Sequence, residues 1–296
     1  MRSLLFVPAD SPRKLEKSMQ SGADGIILDL EDSVAPERKA DARAAAAAFL
    51  RETRPLSARP RLIVRVNALA SGLIDHDLEA VIAAQPDIIL LPKAEGGASV
   101  IHADAKIAVH EAVSGLPEGQ TRIIALAIET AASLFLAGTF TAASRRLVGL
   151  SWGAEDFAVD LGAETSRDAS GGYTDVFRLA RSLCLAGAAA ADVAAYDTVN
   201  VDFRNLDAFR DFAQAARRDG FSGMLAIHPA QVPVINEVFT PSAEAVASAR
   251  AIIAAFDAAP AAGVVSIDGV MYDQPHLKRA QRLLARAGLI GKVRPN

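Results

Sequence analysis

The chain has 296 residues, 51% of them hydrophobic but only 5% aromatic, and its 31 basic and 35 acidic residues leave a formal net charge of −4. That balance suits one large α/β domain with an aliphatic core and a short appendage, and it argues against nucleic acid or an anionic membrane as a partner. The one cysteine, Cys184, cannot form an intramolecular disulfide; the apolar run Met1 to Pro8 is too short for a secretion signal, and no charge-free apolar stretch of about 18 residues occurs, so a cytoplasmic protein is expected.

Along the chain, strand and helix patterns alternate with short Gly, Pro or Asp punctuation. The first strand is expected at Ser3 to Pro8 with a helix from Pro12, and the second at Gly25 to Leu30 with an Ala-rich helix from Pro36 to Arg51. Strands three to six fall at Leu62 to Val66, Asp87 to Leu91, Arg122 to Ile128 and Arg146 to Ser151. A Gly-rich loop at Ser170, Gly171 and Gly172 precedes a helix from Asp175 to about Ala190, and strands seven and eight follow near Tyr196 to Val201 and at Met224 to Ile227. Eight such units predict a (β/α)8 TIM barrel over residues 1–238. Residues 239–296 are left for a C-terminal helical extension and lid: a helix from about Ser242 to Ala258, a break at Pro260 and Gly263, an extended pair from Val264 to Met271, and an amphipathic helix from Pro275 to Ala287.

Five of the apolar runs end in charge: Asp29-Leu30-Glu31-Asp32, Arg65-Val66-Asn67, Pro92-Lys93-Ala94-Glu95, Ile128-Glu129-Thr130 and Gly153-Ala154-Glu155-Asp156. Charge at the carboxyl ends of successive buried strands marks the catalytic mouth of such a barrel. An ordinary buried ion pair is the competing reading of any one of these residues; five charged strand ends together make that reading poor and predict an enzyme. Glu129 and Asp156 end adjacent strands, so their carboxylates can converge, and two carboxylates with substrate oxygens and waters suit Mg²⁺. Arg65 is a permanent cation aimed at the same mouth, and the amides from Gly153 to Asp156 suit the carboxylate of a small 2-oxo acid.

Rival motifs lie nearby. Gly149-Leu150-Ser151-Trp152-Gly153 matches a nucleophile elbow, with His228 and His276 downstream, but the metal reading uses Gly153 and Asp156 together and takes precedence. Lys93 stands where a Schiff-base lysine would work, yet beside Glu95 it is expected to be a structural or substrate-orienting cation. His228 is expected to be structural, His76, His102 and His110 to lie on polar helical surfaces, and Trp152 either to line the pocket or to pack.

The segments RSLLFVPADSPRKLEKS, GADGIILDLEDSVAPERK, RVN, LLPKAE, AIET, GLSWGAEDFAVDLG, AIHPAQV and GVMYDQPHLKRAQRLL run in order along nearly the whole chain. In them the sequence resembles the citrate lyase β-subunit-like proteins of the HpcH/HpaI aldolase superfamily. The resemblance implies a (β/α)8 barrel, Mg²⁺ with Mn²⁺ as a substitute, and cleavage or formation of the carbon–carbon bond of a 3-hydroxyacyl-CoA such as malyl-CoA or (S)-citramalyl-CoA. The products would be acetyl-CoA or propionyl-CoA with pyruvate or glyoxylate. It makes Glu129 and Asp156 the metal ligands, Arg65 the thioester or enolate contact, and Glu31 and Asp32 groups that orient Arg65 and metal-bound water. Asp273 becomes the C-terminal acid–base, supplied by a neighbouring subunit of a trimer or hexamer. Substrate contacts are then expected from Arg65, Glu129, Gly153, Ala154, Glu155 and Asp156, and CoA contacts from Arg2, Arg13 and Lys14 near the first strand. The chain departs from the pattern at Ala68, where many relatives carry proline after RVN. Two alternatives stay open: a hydrolase of malyl-CoA-type thioesters, and a citrate lyase β subunit acting on an acyl-carrier-protein thioester.

Overall fold

The computed structural model describes residues 1–260 and 262–293, with side chains up to residue 288. It forms two compact units, Met1–Asn236 and Glu237–Asn296. In the first, eight parallel strands close into a barrel in sequence order: β1 (Ser3–Pro8), β2 (Gly25–Asp29), β3 (Arg61–Arg65), β4 (Ile88–Leu91), β5 (Arg122–Ile128), β6 (Leu147–Trp152), β7 (Ala194–Asp197) and β8 (Gly223–Ala226). The ring closes where Ser3, Leu4 and Leu5 pair with Met224, Leu225 and Ala226.

The α-helices of this unit are α1 (Pro12–Ser18), α2 (Lys39–Thr53), α3 (Ile74–Val81), α4 (Gly96–Val113), α5 (Ala131–Leu134), α6 (Ala154–Leu161), α7 (Asp175–Ala190) and α8 (Leu206–Asp219), with α9 (Gln231–Phe239) crossing the boundary between the units. Strands covered on both faces need no polar alternation, which is why Ile26 to Leu28 and Leu62 to Val64 are continuous buried apolar runs. One cluster that includes Leu4, Ile27, Ile63, Leu90, Ile124, Leu126, Tyr196 and Leu225 forms a core shared by strands around the ring. Thus the (β/α)8 architecture expected from the sequence is the one observed.

Strand seven differs from its expectation. It starts at Ala194 and ends at Asp197 instead of running from Tyr196 to Val201. The Asp197 carboxylate accepts from the amide of Thr198, a side-chain-to-backbone bond that competes with strand continuation. Val201, which mimics a strand residue in the sequence, is 54% exposed.

The second unit pairs α10 (Ala243–Ala258) with α11 (Gln274–Val293), so the last helix extends beyond Ala287. Its core holds Ala249, Ile252, Phe256 and Ala280. Between the helices, β9 (Val264–Ile267) and β10 (Val270–Asp273) form an antiparallel hairpin whose two turn residues, Asp268 and Gly269, have φ of 50° and 79°. Positive φ at both central positions is the type I′ geometry that matches strand twist and favours Asp-Gly. Among the described residues no helix is long and apolar enough to cross a membrane.

Candidate active site

The carboxyl ends of the strands surround a cavity of about 440 Å³, lined among others by Asp29, Arg65, Glu129, Trp152 and Asp156. Parallel register sets Asp29 beside Arg65 at the ends of β2 and β3. The guanidinium therefore donates from Nε and Nη2 to the two Asp29 oxygens, at 2.7 and 2.6 Å. This fork-to-fork geometry fixes the plane of the cation. Its Nη1 lies 2.9 Å from Glu31 Oε2, and the Phe6 ring lies 4.9 Å from the guanidinium carbon.

Lys93 occupies the centre of the acidic groups. Its Nζ is 2.6 Å from Glu31 Oε1, 3.5 Å from Asp32 and 3.6 Å from Asp156. Its backbone amide donates to Glu129 Oε2 at 2.5 Å. Both donors belong to one residue with φ of 49°, a left-handed conformation uncommon for a side chain this size. The expected pairing of Lys93 with Glu95 is not formed: Glu95 precedes α4, and its carboxylate accepts from the Thr130 hydroxyl.

Burial and then the neighbouring Asp156 charge push the Glu129 carboxyl up to about 8. Burial also raises Glu31, against the pull of Arg65 and Lys93. For Asp29, burial works upward, but the Arg65 hydrogen bonds and charge outweigh it and hold the carboxyl below its ordinary range. Burial works against the Lys93 ammonium; the Glu31 hydrogen bond and charge, with Asp156 and Asp32, more than offset it and raise the group above its ordinary value. An amine held protonated in this way is a poor Schiff-base nucleophile.

The donor set fits a hard divalent cation. Glu129 and Asp156 would supply oxygen, and a cation bound between them would relieve the effect of one carboxylate on the other. A Cβ on Gly153 would lie 2.6 Å from Glu129 Oε1, so only glycine leaves that carboxylate its place. Among the described residues no group of three or more His, Cys, Asp or Glu side chains is placed to hold a metal, so substrate and water oxygens must complete the shell. Asp156 lies in the first turn of α6, which begins after Gly153 and whose first-turn amides have no helical carbonyl to donate to.

The structure thus brings together Glu31, Asp32, Arg65, Glu129, Gly153, Ala154, Glu155 and Asp156. Asp273 belongs to the second unit, where its carboxylate is 2.5 Å from His276 Nδ1 and lies below its ordinary range because of that hydrogen bond. Arg13 and Lys14 are exposed on α1, just past the carboxyl end of β1.

Arg2 does not meet its expectation. It precedes β1, at the opposite end of the barrel from the cavity, and is buried against Asp24, with Nε and Nη2 donating at 3.0 and 2.6 Å. A cation committed to a buried carboxylate at that end cannot bind CoA at the mouth. The nucleophile elbow is also refuted in structural terms: Ser151 lies within β6 with its hydroxyl buried and unpartnered, while His228 stacks on Phe203 and accepts the Ala230 amide.

Two residues at this end of the barrel went unassigned in the sequence. Asp29 is the main partner of Arg65, and its place in the acidic run at the end of the second strand was the available signal. Asp197 is wholly buried, accepting from Trp152 Nε1 and Arg181 Nε, each at 2.8 Å. Trp152 both borders the cavity and packs.

The description HpcH/HpaI aldolase/citrate lyase matches residues 2–229. The chain is 37% identical over 284 residues to a citrate lyase subunit beta-like protein of Mycobacterium tuberculosis, spanning 96% of this chain and 94% of the relative. It is 35% identical over 295 residues to a (3S)-malyl-CoA thioesterase of Cereibacter sphaeroides, spanning 99% and 96%. The crystal structure of CitE from Mycobacterium tuberculosis in complex with magnesium, acetoacetate and coenzyme A superposes with a TM-score of 0.76 at 37% identity, covering 97% of this chain and 98% of that one. A citrate lyase beta subunit from the same organism, complexed with oxaloacetate and magnesium, gives a TM-score of 0.67 at 37% identity, covering 81% and 96%. With the barrel, the acidic mouth and full-length similarity in agreement, the chain belongs to the HpcH/HpaI aldolase/citrate lyase family, an enzyme of the lyase class.

Proposed function

We propose that this chain is a Mg²⁺-dependent carbon–carbon lyase of 3-hydroxyacyl-CoA thioesters of the malyl-CoA or (S)-citramalyl-CoA type. The observation that carries this is the buried Glu129, set close against Gly153 and near enough to Asp156 to be raised by its charge, beside an Arg65 fixed in plane by Asp29. Glu129 and Asp156 would hold the ion, which when bound supplies a Lewis acid for the oxygens of the 2-oxo acid half.

The first-turn amides of α6, Ala154 to Asp156, orient the 2-oxo acid carboxylate at the positive end of the helix. Arg65 holds the thioester oxygen, where negative charge develops as the acyl α-carbon takes the electron pair of the broken bond. Glu31 and Asp32 steady Arg65 and Lys93. In cleavage the hydroxyl proton leaves to solvent as the 2-oxo carbonyl forms, and Asp273 gives a proton to the α-carbon; in synthesis Asp273 removes the α-proton and the new alkoxide takes one from solvent. In a closed symmetric oligomer, a trimer or hexamer, that acid comes from a neighbouring chain. Arg13 and Lys14 meet the phosphates of CoA, and Mn²⁺ substitutes for Mg²⁺.

A thioesterase outcome is the second reading, favoured by the similarity to the Cereibacter enzyme over 99% of this chain. Incubation with malyl-, methylmalyl- and citramalyl-CoA and Mg²⁺, with product analysis, separates the two. A 2-oxo acid plus acyl-CoA supports the lyase, and free CoA plus a hydroxy acid supports the thioesterase. Inertness on all three, with turnover of an acyl-carrier-protein thioester, would instead assign the chain as a citrate lyase β subunit.

A further inference from the structure

Behind the cavity, β6 and β7 end side by side in Trp152 and Asp197, and both residues are wholly buried. The carboxylate of Asp197 has three donors around it: the Trp152 indole N–H at 2.8 Å, Arg181 Nε at 2.8 Å and the Thr198 amide at 2.9 Å. Arg181 reaches in from α7, spans to Asp219 with Nη1 at 2.5 Å, and lies 4.7 Å over the Phe221 ring. The Trp152 ring is also met edge-on by Tyr173, with ring centroids 5.2 Å apart. None of these groups is needed for chemistry at the proposed metal site. A buried charge pair of this kind rarely adds stability over an apolar replacement, whereas a specific geometric role accounts for it.

That role is visible in the turn after Trp152. The Gly153 amide donates to the Ile128 carbonyl at 3.0 Å, next to Glu129, and Gly153 is the position at which an added Cβ would lie 2.6 Å from Glu129 Oε1. Ala154 then opens α6, which carries Asp156. The Trp152 backbone leads directly into this turn, so an indole pinned by Asp197 restrains the strand end from which Gly153 and α6 depart.

We propose that Asp197, held by Arg181, is a positioning residue: it fixes the Trp152 indole and thereby the turn from Gly153 to Asp156 that would bind the 2-oxo acid. The link to substrate rests on the functional reading above. The link to the indole does not.

The sole tryptophan makes this measurable without activity. Wild type, Asp197→Asn, Arg181→Gln and Trp152→Phe are compared by acrylamide quenching of tryptophan emission where the indole remains, and by KM and kcat for pyruvate in the synthetic direction with acetyl-CoA. In folded Asp197→Asn and Arg181→Gln the quenching constant should rise above that of wild type. The pyruvate KM should rise about tenfold, the loss expected on weakening a hydrogen bond to a charged group, with kcat changed less. Trp152→Phe, which keeps a ring but removes the donor, should show the same KM shift. The double variant Trp152→Phe/Asp197→Asn should be no worse than the worse single change, since both cut one connection.

Unchanged quenching and KM in folded Asp197→Asn would overturn the proposal, as would strictly additive effects in the double variant. Should Asp197→Asn not fold, the same criteria apply to Arg181→Gln and Trp152→Phe. A wild-type protein whose emission ignores MgCl₂ with pyruvate and that forms no product would instead overturn the functional reading, and the quenching would still decide whether Asp197 holds the indole.

Discussion

Replacing Gly153 by alanine tests the candidate site with a single methyl group. The backbone there has φ of −119°, so alanine introduces no strain of its own. Its Cβ, however, would lie 2.6 Å from Glu129 Oε1 and 2.9 Å from Cγ, where ordinary contact begins at 3.4 Å. Glu129 has little room to retreat, being 3% exposed and held at Oε2 by the Lys93 amide. Overpacking of this size costs about 1–3 kcal/mol. Because the displaced atom is a proposed metal ligand, that cost should appear as Mg²⁺ affinity weakened by about 5- to 140-fold, at 1.4 kcal/mol per tenfold. Titration calorimetry of Mg²⁺ with pyruvate present reads it directly. Gly138→Ala, where a Cβ meets nothing within 4 Å, is the matched control. Wild-type affinity and turnover in Gly153→Ala would refute the placement of the ion beside Glu129.

Four other outcomes are expected from the same geometry. Arg65→Lys cannot reproduce the two-point bond to Asp29, and kcat should fall by about 10²- to 10³-fold while Mg²⁺ affinity holds; near-normal kcat would leave Arg65 a structural role. Glu129 has its carboxyl raised from 4.5 to about 8, so without metal its contribution to stability is complete below pH 4.5 and is lost as pH rises through about 8. Melting temperatures in chelator should accordingly fall less over that window in Glu129→Gln than in wild type, and equal slopes would contradict the shift. Arg2→Met removes the charged side-chain partner of the buried Asp24, leaving it the backbone amide of residue 2, and should cost about 3–5 kcal/mol in chemical denaturation, with KM for the CoA thioester unchanged in the folded protein. Mixing inactive Asp273→Ala with inactive Glu129→Ala should regenerate activity by pairing an intact acid with an intact metal site, and a dead mixture with proven subunit exchange would place Asp273 in cis or outside the chemistry.

What was legible in the sequence was whatever a barrel strand writes locally. Apolar runs such as Ile88 to Leu91, buried on both faces, announce themselves without any partner, and the charged residues that terminate them mark the mouth. What was not legible depends on closure of the ring. Asp29 outranks Glu31 as the partner of Arg65 only because register sets residues 29 and 65 opposite each other, which no local pattern encodes. Lys93 pairs with Glu31 instead of Glu95 from a left-handed backbone conformation that no local pattern announces. Arg2 was misassigned although strand direction alone was enough to correct it: a residue preceding a parallel barrel strand lies at the end away from the carboxyl mouth.

The seam between the first and last strands has a consequence for biosynthesis. Gly223 approaches the Arg2 carbonyl so closely that a Cβ there would lie 2.1 Å from the oxygen, and β1 takes one neighbour from residues 25–29 and the other from residues 224–226. A ribosome releasing this chain therefore exposes β1 with one edge unpaired until nearly the whole barrel has emerged. Pairing across so long a sequence separation is slow to form and leaves the edge open to other chains in the meantime. Bulkier residues at position 223 should for that reason lower the soluble yield of newly made protein more than they lower the activity of the fraction that folds.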